Sequence, residues 1–163
     1  MSLFANFFVA DGFLGTEALL YMDIDIIFIV SLPFLVGFSL FFAIKEEYDL
    51  YILSQKALFS LTFVGLILFL YGIYLNGVEL DMKENFFSSA IIFNLLVFQI
   101  FISVITISTW FSVIQISLSD YKRWVLPGMY SDNHERAVKR VFLLILLTTG
   151  SSIALYLMLF FKV

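Results

Sequence analysis

From Phe86 to Leu118 the chain carries no charged side chain. As an α-helix, this run of roughly 33 residues would be about 50 Å long, more than the ~30 Å hydrocarbon core of a bilayer needs. It must therefore tilt, break or protrude, and protrusion into the basic stretch that follows is the expectation. Three further apolar runs accompany it: about Ile24 to Ile44, with Pro33 inside; about Leu53 to Leu75, with Lys56 near its start; and about Val141 to Phe161. Each reaches the roughly 20 residues that a helix needs to cross hydrocarbon. Backbone polar groups cannot stay unpaired in lipid, so all four are expected as helices. Stretches such as Leu66-Ile67-Leu68-Phe69-Leu70 do not alternate, which argues against a β-barrel.

Composition points the same way. The 163 residues are 62% hydrophobic and 13% charged, and the mean hydropathy is +1.03. A soluble domain of that length has too much surface for its volume to hide so much apolar area. A net charge of −4 excludes electrostatic binding of nucleic acid. The expected fold class is all-α: an integral membrane four-helix bundle, residues 23–163, with an amphipathic N-terminal segment, residues 1–22. That segment is rich in Phe (Phe4, Phe7, Phe8, Phe13) but carries Asp11 and Glu17, and Gly12 and Gly15 interrupt it. It lacks Lys and Arg, so it does not read as a signal peptide, and an interfacial stretch is expected.

Lysine and arginine counts set the expected orientation. Lys83 and Lys162 lie to one side of the four runs, while Lys45, Lys56, Lys122, Arg123, Arg136, Lys139 and Arg140 lie to the other. Both termini are therefore expected outside, and the loops 45–56 and 119–140 inside, in an energy-transducing membrane such as a bacterial inner membrane. Lys122, Arg123, Arg136, Lys139 and Arg140 would anchor that topology or meet anionic lipid headgroups. In the second loop, Trp124 suits an interface and Pro127-Gly128 marks a turn. Asp132 and Glu135 have capping-box spacing, which would start the last helix near Asn133. Glu135 and Lys139 are four apart and can pair.

The charge-free run carries two polar stripes at helical spacing. Gln99, Ser103, Thr106 and Trp110 share one face, and Asn94, Ser108, Ser112, Gln115 and Ser119 share another. Each such group needs a partner in lipid, so both stripes are expected to face protein, as interhelical contacts or as the lining of a path. Gly65 and Gly72 lie a heptad apart, Gly150 and Ala154 have small-xxx-small spacing, and so do Ser108 and Ser112; all are expected at close helix packing. The absence of cysteine excludes thiolate sites. One histidine, His134, is too few for a His-rich metal site, although it is the one weak metal candidate. No ionisable group reads as deep in an apolar run, which argues against pumps and voltage sensors. No catalytic constellation is visible, and no cofactor is expected within the chain; lipid or quinone at the periphery is the open alternative.

Two stretches carry a family resemblance. One is Asn133-His134-Glu135-Arg136-Ala137-Val138-Lys139-Arg140-Val141-Phe142, followed by Thr148-Thr149-Gly150 and Ala154-Leu155-Tyr156-Leu157-Met158-Leu159. The other runs from Tyr51 to Gly77 and ends Leu70-Tyr71-Gly72-Ile73-Tyr74-Leu75-Asn76-Gly77. Over about Leu32 to Phe160 the chain resembles a family of small four-helix bacterial membrane proteins linked to assembly of haem-copper terminal oxidases. Histidines that such relatives tend to carry on the second and third helices are replaced here, within Ser54-Gln55-Lys56, Tyr71-Gly72-Ile73 and Phe98-Gln99-Ile100. The Pro and Trp that they tend to carry early in the fourth helix are also missing. The resemblance implies a divergent member with its ligand site dismantled. The expected role is non-catalytic: an accessory subunit or stably bound assembly factor of a respiratory membrane complex, with membrane lipids and other membrane subunits as partners. The alternatives are a carrier or channel component using the polar face of the third apolar run, and a metal- or haem-handling chaperone using His134.

Overall fold

A computed structural model describes residues 3–76, 89–122 and 132–161. Five helices follow in order: α1 (Leu3–Val9), α2 (Leu20–Ile44), α3 (Tyr48–Asn76), α4 (Ser89–Lys122) and α5 (Asp132–Phe160). The last four are long and apolar enough to cross a membrane. They extend beyond the apolar runs, because helix propensity and capping set a helix end while hydropathy sets only the run. The expected turn at Pro127-Gly128, Trp124, and the loop bearing Glu79, Asp81, Lys83 and Glu84 lie outside the described residues.

Side-chain pairings fix the topology. Ser39 meets Ser54, and Tyr21 packs on Gly72, so α2 and α3 run antiparallel. Asp23 meets Tyr156 at one end and Gly37 lies near Phe142 towards the other, so α5 is antiparallel to α2. Gln99 meets Ser152 and Thr106 meets Thr148, so α4 is antiparallel to α5. α3 and α4 touch through Phe59, which lies edge-on to Trp110 and tilted on Phe111. α1 lies against α2 and α3.

The core is built where these helices converge. Leu32 and Val36 of α2, Trp110, Val113 and Ile114 of α4, and Val141 and Ile145 of α5 form its main cluster. A second cluster, Phe8, Ala18, Tyr21 and Met22, seals the end where α1 packs. A third, Ala43, Tyr51 and Ile52, closes the α2–α3 turn. That turn places Glu46 at φ 63°, the left-handed position that commonly ends a helix. Glu47 N–H then donates back to Phe42 O at 2.9 Å.

Pro33 sits inside α2 without ending it. Proline lacks the N–H that would bond to the carbonyl four residues back, here Ile29. Thr149 of α5 supplies the missing donor, its hydroxyl reaching Ile29 O at 3.3 Å. Around the outside of the bundle the surface stays apolar: Phe34 is 77% exposed, although Leu32, two residues earlier, is 6% exposed.

Candidate functional site

Polar side chains gather in three layers inside the bundle. The first lies under a strap, residues 10–20, that connects α1 to α2. Gly12 N–H donates to Ala18 O at 3.0 Å and Leu20 N–H to Ala10 O at 2.9 Å, folding the strap back on itself. Gly15 takes φ 72° at its bend, where a side chain would be strained. The bend presents the Phe13 and Leu14 N–H groups to Asp23 Oδ2 at 2.7 and 2.8 Å. Tyr156 donates its phenol to Asp23 Oδ1 at 2.5 Å, and Thr16 meets the same phenol at 2.7 Å. Asp23 is fully buried. Its two oxygens accept from two backbone N–H groups and one phenol. This carboxylate is a clasp that closes the strap over α2 and α5. Nearby, Asn76 Nδ2 donates to Phe8 O at 2.8 Å and ties α1 to the end of α3.

The second layer joins α4 to α5. Gln99 Nε2 donates to Ser152 Oγ at 2.6 Å, and Ser151 Oγ donates to Gln99 Oε1. Ser103 lies 3.4 Å from the same amide. Thr106 and Thr148 hydroxyls meet at 2.8 Å. The third layer joins α2, α3 and α4. Trp110 Nε1 donates to Gln55 Oε1 at 2.7 Å, and Gln55 Nε2 donates to Ser39 Oγ at 3.0 Å. Ser39 also meets Ser54, which donates to Tyr51 O at 2.9 Å. A cavity of about 10 Å³ beside Gln55, lined by Tyr51, Ile52, Gln55, Ile114 and Ser117, is at the lower limit of what holds one water.

The two stripes of α4 part company. Gln99, Ser103, Thr106 and Trp110 turn into these layers. Asn94, Ser108, Ser112 and Gln115 lie exposed on the opposite side, with Ser119 half-buried. Ser112 donates only to the Ser108 carbonyl of its own helix, at 2.9 Å. The expectation that both stripes face protein is thus not met by this chain alone for the second stripe. The reason is geometric: one α4 face is enough to engage α3 and α5.

The small residues also divide. Gly72 lies hard against the Tyr21 ring, where a Cβ would come within 2.5 Å. Gly65 faces Asp25, Gly150 has open space where a Cβ would stand, and Ala154 is half-buried. Close packing is therefore found at Gly72 but not at Gly150.

Asp23 and Asp25 lie in the first two turns of α2. α2 begins at Leu20, before the apolar run, so both aspartates are inside the helix. Asp25 is half-buried, its Oδ1 3.8 Å from where a Cβ on Gly65 would stand. No hydrogen bond or ion pair engages Asp25 among the described residues. Sequence reasoning also missed Ser39, Gln55 and Thr16, although Thr16 beside Gly12 and Gly15 is a turn signal that could have marked the strap.

At the far end, Glu135 and Lys139 pair at 2.5 Å as their spacing predicts, and Arg136 and Arg140 are exposed. The side chains of Lys122 and His134, and the whole of Arg123, lie outside the described residues. No group of three or more His, Cys, Asp or Glu able to hold a metal ion occurs among the described residues. Comparison with known proteins finds no matching family model, no matching curated protein and no matching solved structure.

Proposed function

We propose that the chain is a four-span integral membrane protein that acts by packing: a non-catalytic accessory subunit or stably bound assembly factor of a respiratory membrane complex such as a terminal oxidase. The observation that carries the reading is the outward stripe of α4. Asn94, Ser108, Ser112 and Gln115 are exposed on a helix whose remaining outer surface is apolar. Hydrocarbon offers the Asn94 and Gln115 amides no partner, so a neighbouring protein is their natural cover. The inner polar groups support the same reading. Gln99 is committed to Ser151 and Ser152, and Gln55 to Trp110 and Ser39, so these amides act as interhelical ties. A carrier reading would need Gln99 free to meet a passing solute.

The oxidase association rests on the resemblance of the Asn133–Phe142 and Tyr51–Gly77 stretches. The orientation rests on the basic residues, which put the termini outside and the loops 45–56 and 119–140 inside, in a bacterial inner membrane. Anionic lipid heads would meet the exposed Arg136 and Arg140. The test is purification of the native protein in a mild detergent, with each co-purifying chain quantified by mass spectrometry. Redox subunits at fixed stoichiometry are the expected result. A chain that purifies without them contradicts the respiratory assignment.

A further inference from the structure

Asp23 is satisfied under the strap, whereas Asp25, two residues on, meets α3 at Gly65 and engages no hydrogen-bond or ion-pair partner among the described residues. The neighbouring helices set its depth. Its Oδ1 lies 3.8 Å from where a Cβ on Gly65 would stand. Gly65 is near the middle of the 53–75 apolar run, with about 15 Å of helix between it and Leu75. On α5, Tyr156 meets Asp23 and Thr149 meets Ile29, so Asp25 stands level with the stretch between those two residues, inside the 141–161 run. Both neighbours thus put the carboxyl at hydrocarbon depth once the four helices span a membrane. Nothing else among the described residues comes within 4 Å of the Gly65 position, and Asp25 and Gly65 are both half-buried. Leu61 and Leu68, one turn to either side of Gly65, are exposed, as is Ile24 beside Asp25. The carboxyl therefore stands at a gap in the outer surface that Gly65 has no side chain to fill. We propose that Asp25 is the pairing site for a lysine or arginine carried within a membrane-spanning helix of a neighbouring subunit, which lies across α2 and α3 at Gly65.

Charge and depth together select the occupant. A carboxylate inside a membrane needs a counter-charge, and such groups pair with one another. The cations nearest along the two helices stand well away: Lys56 is exposed about 13 Å along α3 from Gly65, and Lys45 is exposed about 30 Å along α2 from Asp25. The facing stretch of α3, residues 57–70, has no titratable group. Of the tyrosines nearby, Tyr156 is bonded to Asp23 and Tyr21 packs on Gly72. A lipid ammonium stays with the headgroups, about 15 Å from the middle of the hydrocarbon. A metal ion needs further ligands, and no group of three His, Cys, Asp or Glu occurs among the described residues. A lysine or arginine on a membrane-spanning helix reaches this depth, and its apolar stem suits the gap between Leu61 and Leu68. The unpaired acid costs stability in the isolated chain and is compensated on assembly. The site rests on the accessory-subunit reading and deepens it by naming the chemistry of a partner. It lies on α2 and α3, apart from the α4 stripe.

Wild type, Asp25→Asn and Asp25→Glu are purified from native membranes in a mild detergent, and every co-purifying chain is quantified by mass spectrometry. Asp25→Asn should lower the yield of one membrane-spanning partner several-fold, while Asp25→Glu keeps most of it. The melting temperature of the isolated Asp25→Asn chain should not fall, which separates lost pairing from lost fold. The lost partner should carry a lysine or arginine within an apolar span, and its replacement by methionine should reproduce the loss. Undiminished co-purification with Asp25→Asn overturns the pairing, because a carboxyl that merely holds a proton is replaced by an amide without loss. A lost partner with no basic residue in its spans overturns it, and so does a complex that survives the methionine replacement. A lower melting temperature of the isolated Asp25→Asn chain would assign the carboxyl a contact within its own chain and overturn it too. Redox subunits that stay at fixed stoichiometry with Asp25→Asn remove this site and leave the respiratory reading standing. A lost partner that has the basic span but is no redox subunit keeps the site and removes the respiratory assignment.

Discussion

Thr149 Oγ1 donates to Ile29 O at 3.3 Å, on the carbonyl that Pro33 leaves without an intrahelical donor. A defect in one helix is thus repaired by a side chain from another, as apolar surroundings require. Thr149→Val removes the donor at nearly constant shape and should cost about 1 kcal/mol. In a Pro33→Ala background the helix supplies its own N–H, and the cost of Thr149→Val should fall towards zero. Unfolding of the four proteins in detergent gives the coupling. Equal costs in both backgrounds would show that the hydroxyl does not repair Pro33.

The strap over Asp23 predicts a graded series. A methyl at Gly12 would overlap Asp23 Oδ2 and Ala18 O. Gly12→Ala should therefore open the strap, at a cost of about 1–3 kcal/mol. Asp23→Ala removes the acceptor of the Phe13 and Leu14 N–H groups and should open it equally. Tyr156→Phe leaves both backbone bonds in place. Hydrogen exchange at Phe13 and Leu14 should accelerate in the first two variants and stay slow in the third.

Two glycines predicted alike from spacing should behave in opposite ways. Gly72→Ala pushes a Cβ to 2.5 Å from the Tyr21 ring and should destabilise by about 1–3 kcal/mol. Gly150 has nothing within 4 Å of its Cβ position, so Gly150→Ala should stabilise α5 by about 0.4–1 kcal/mol. Melting temperatures that move in the same direction for both variants would contradict this contrast.

Asp25 is half-buried beside Gly65 and engages no partner among the described residues. A partly buried polar group without a hydrogen bond costs about 1–3 kcal/mol. Asp25→Leu should therefore raise the unfolding temperature of the isolated protein. A lower temperature would mean that the carboxyl makes a stabilising contact.

The sequence made some of these features legible and hid others, for physical reasons. The four long helices followed from run length, because helix is the structure that satisfies every backbone group along such a run. The Gln99–Trp110 face was legible because polar groups at three- and four-residue spacing stand out against an apolar helix. Which way each apolar face turns was not legible: Leu32 is buried and Phe34 exposed, yet both are apolar. The role of Asp23 was not legible, since the strap that satisfies it acts through backbone N–H groups, which carry no side-chain signature. Gln55 was hidden for a different reason. It lies next to Lys56 at the start of a run, where a polar residue looks solvated, but it is 5% exposed and bonded to Trp110 across the bundle.

Whether protein covers the outer face of α4 is read most directly by a nitroxide scan of that helix. Single labels from position 91 to position 116 would be placed in native membranes and their collisions with dissolved oxygen measured. Labels at 94, 101, 108 and 115 should be shielded about as well as those at 99 and 106, which face α5, while a label at 116 stays accessible. Full accessibility along 94, 101, 108 and 115, at the level of position 116, would mean that lipid covers this face, and would contradict the account.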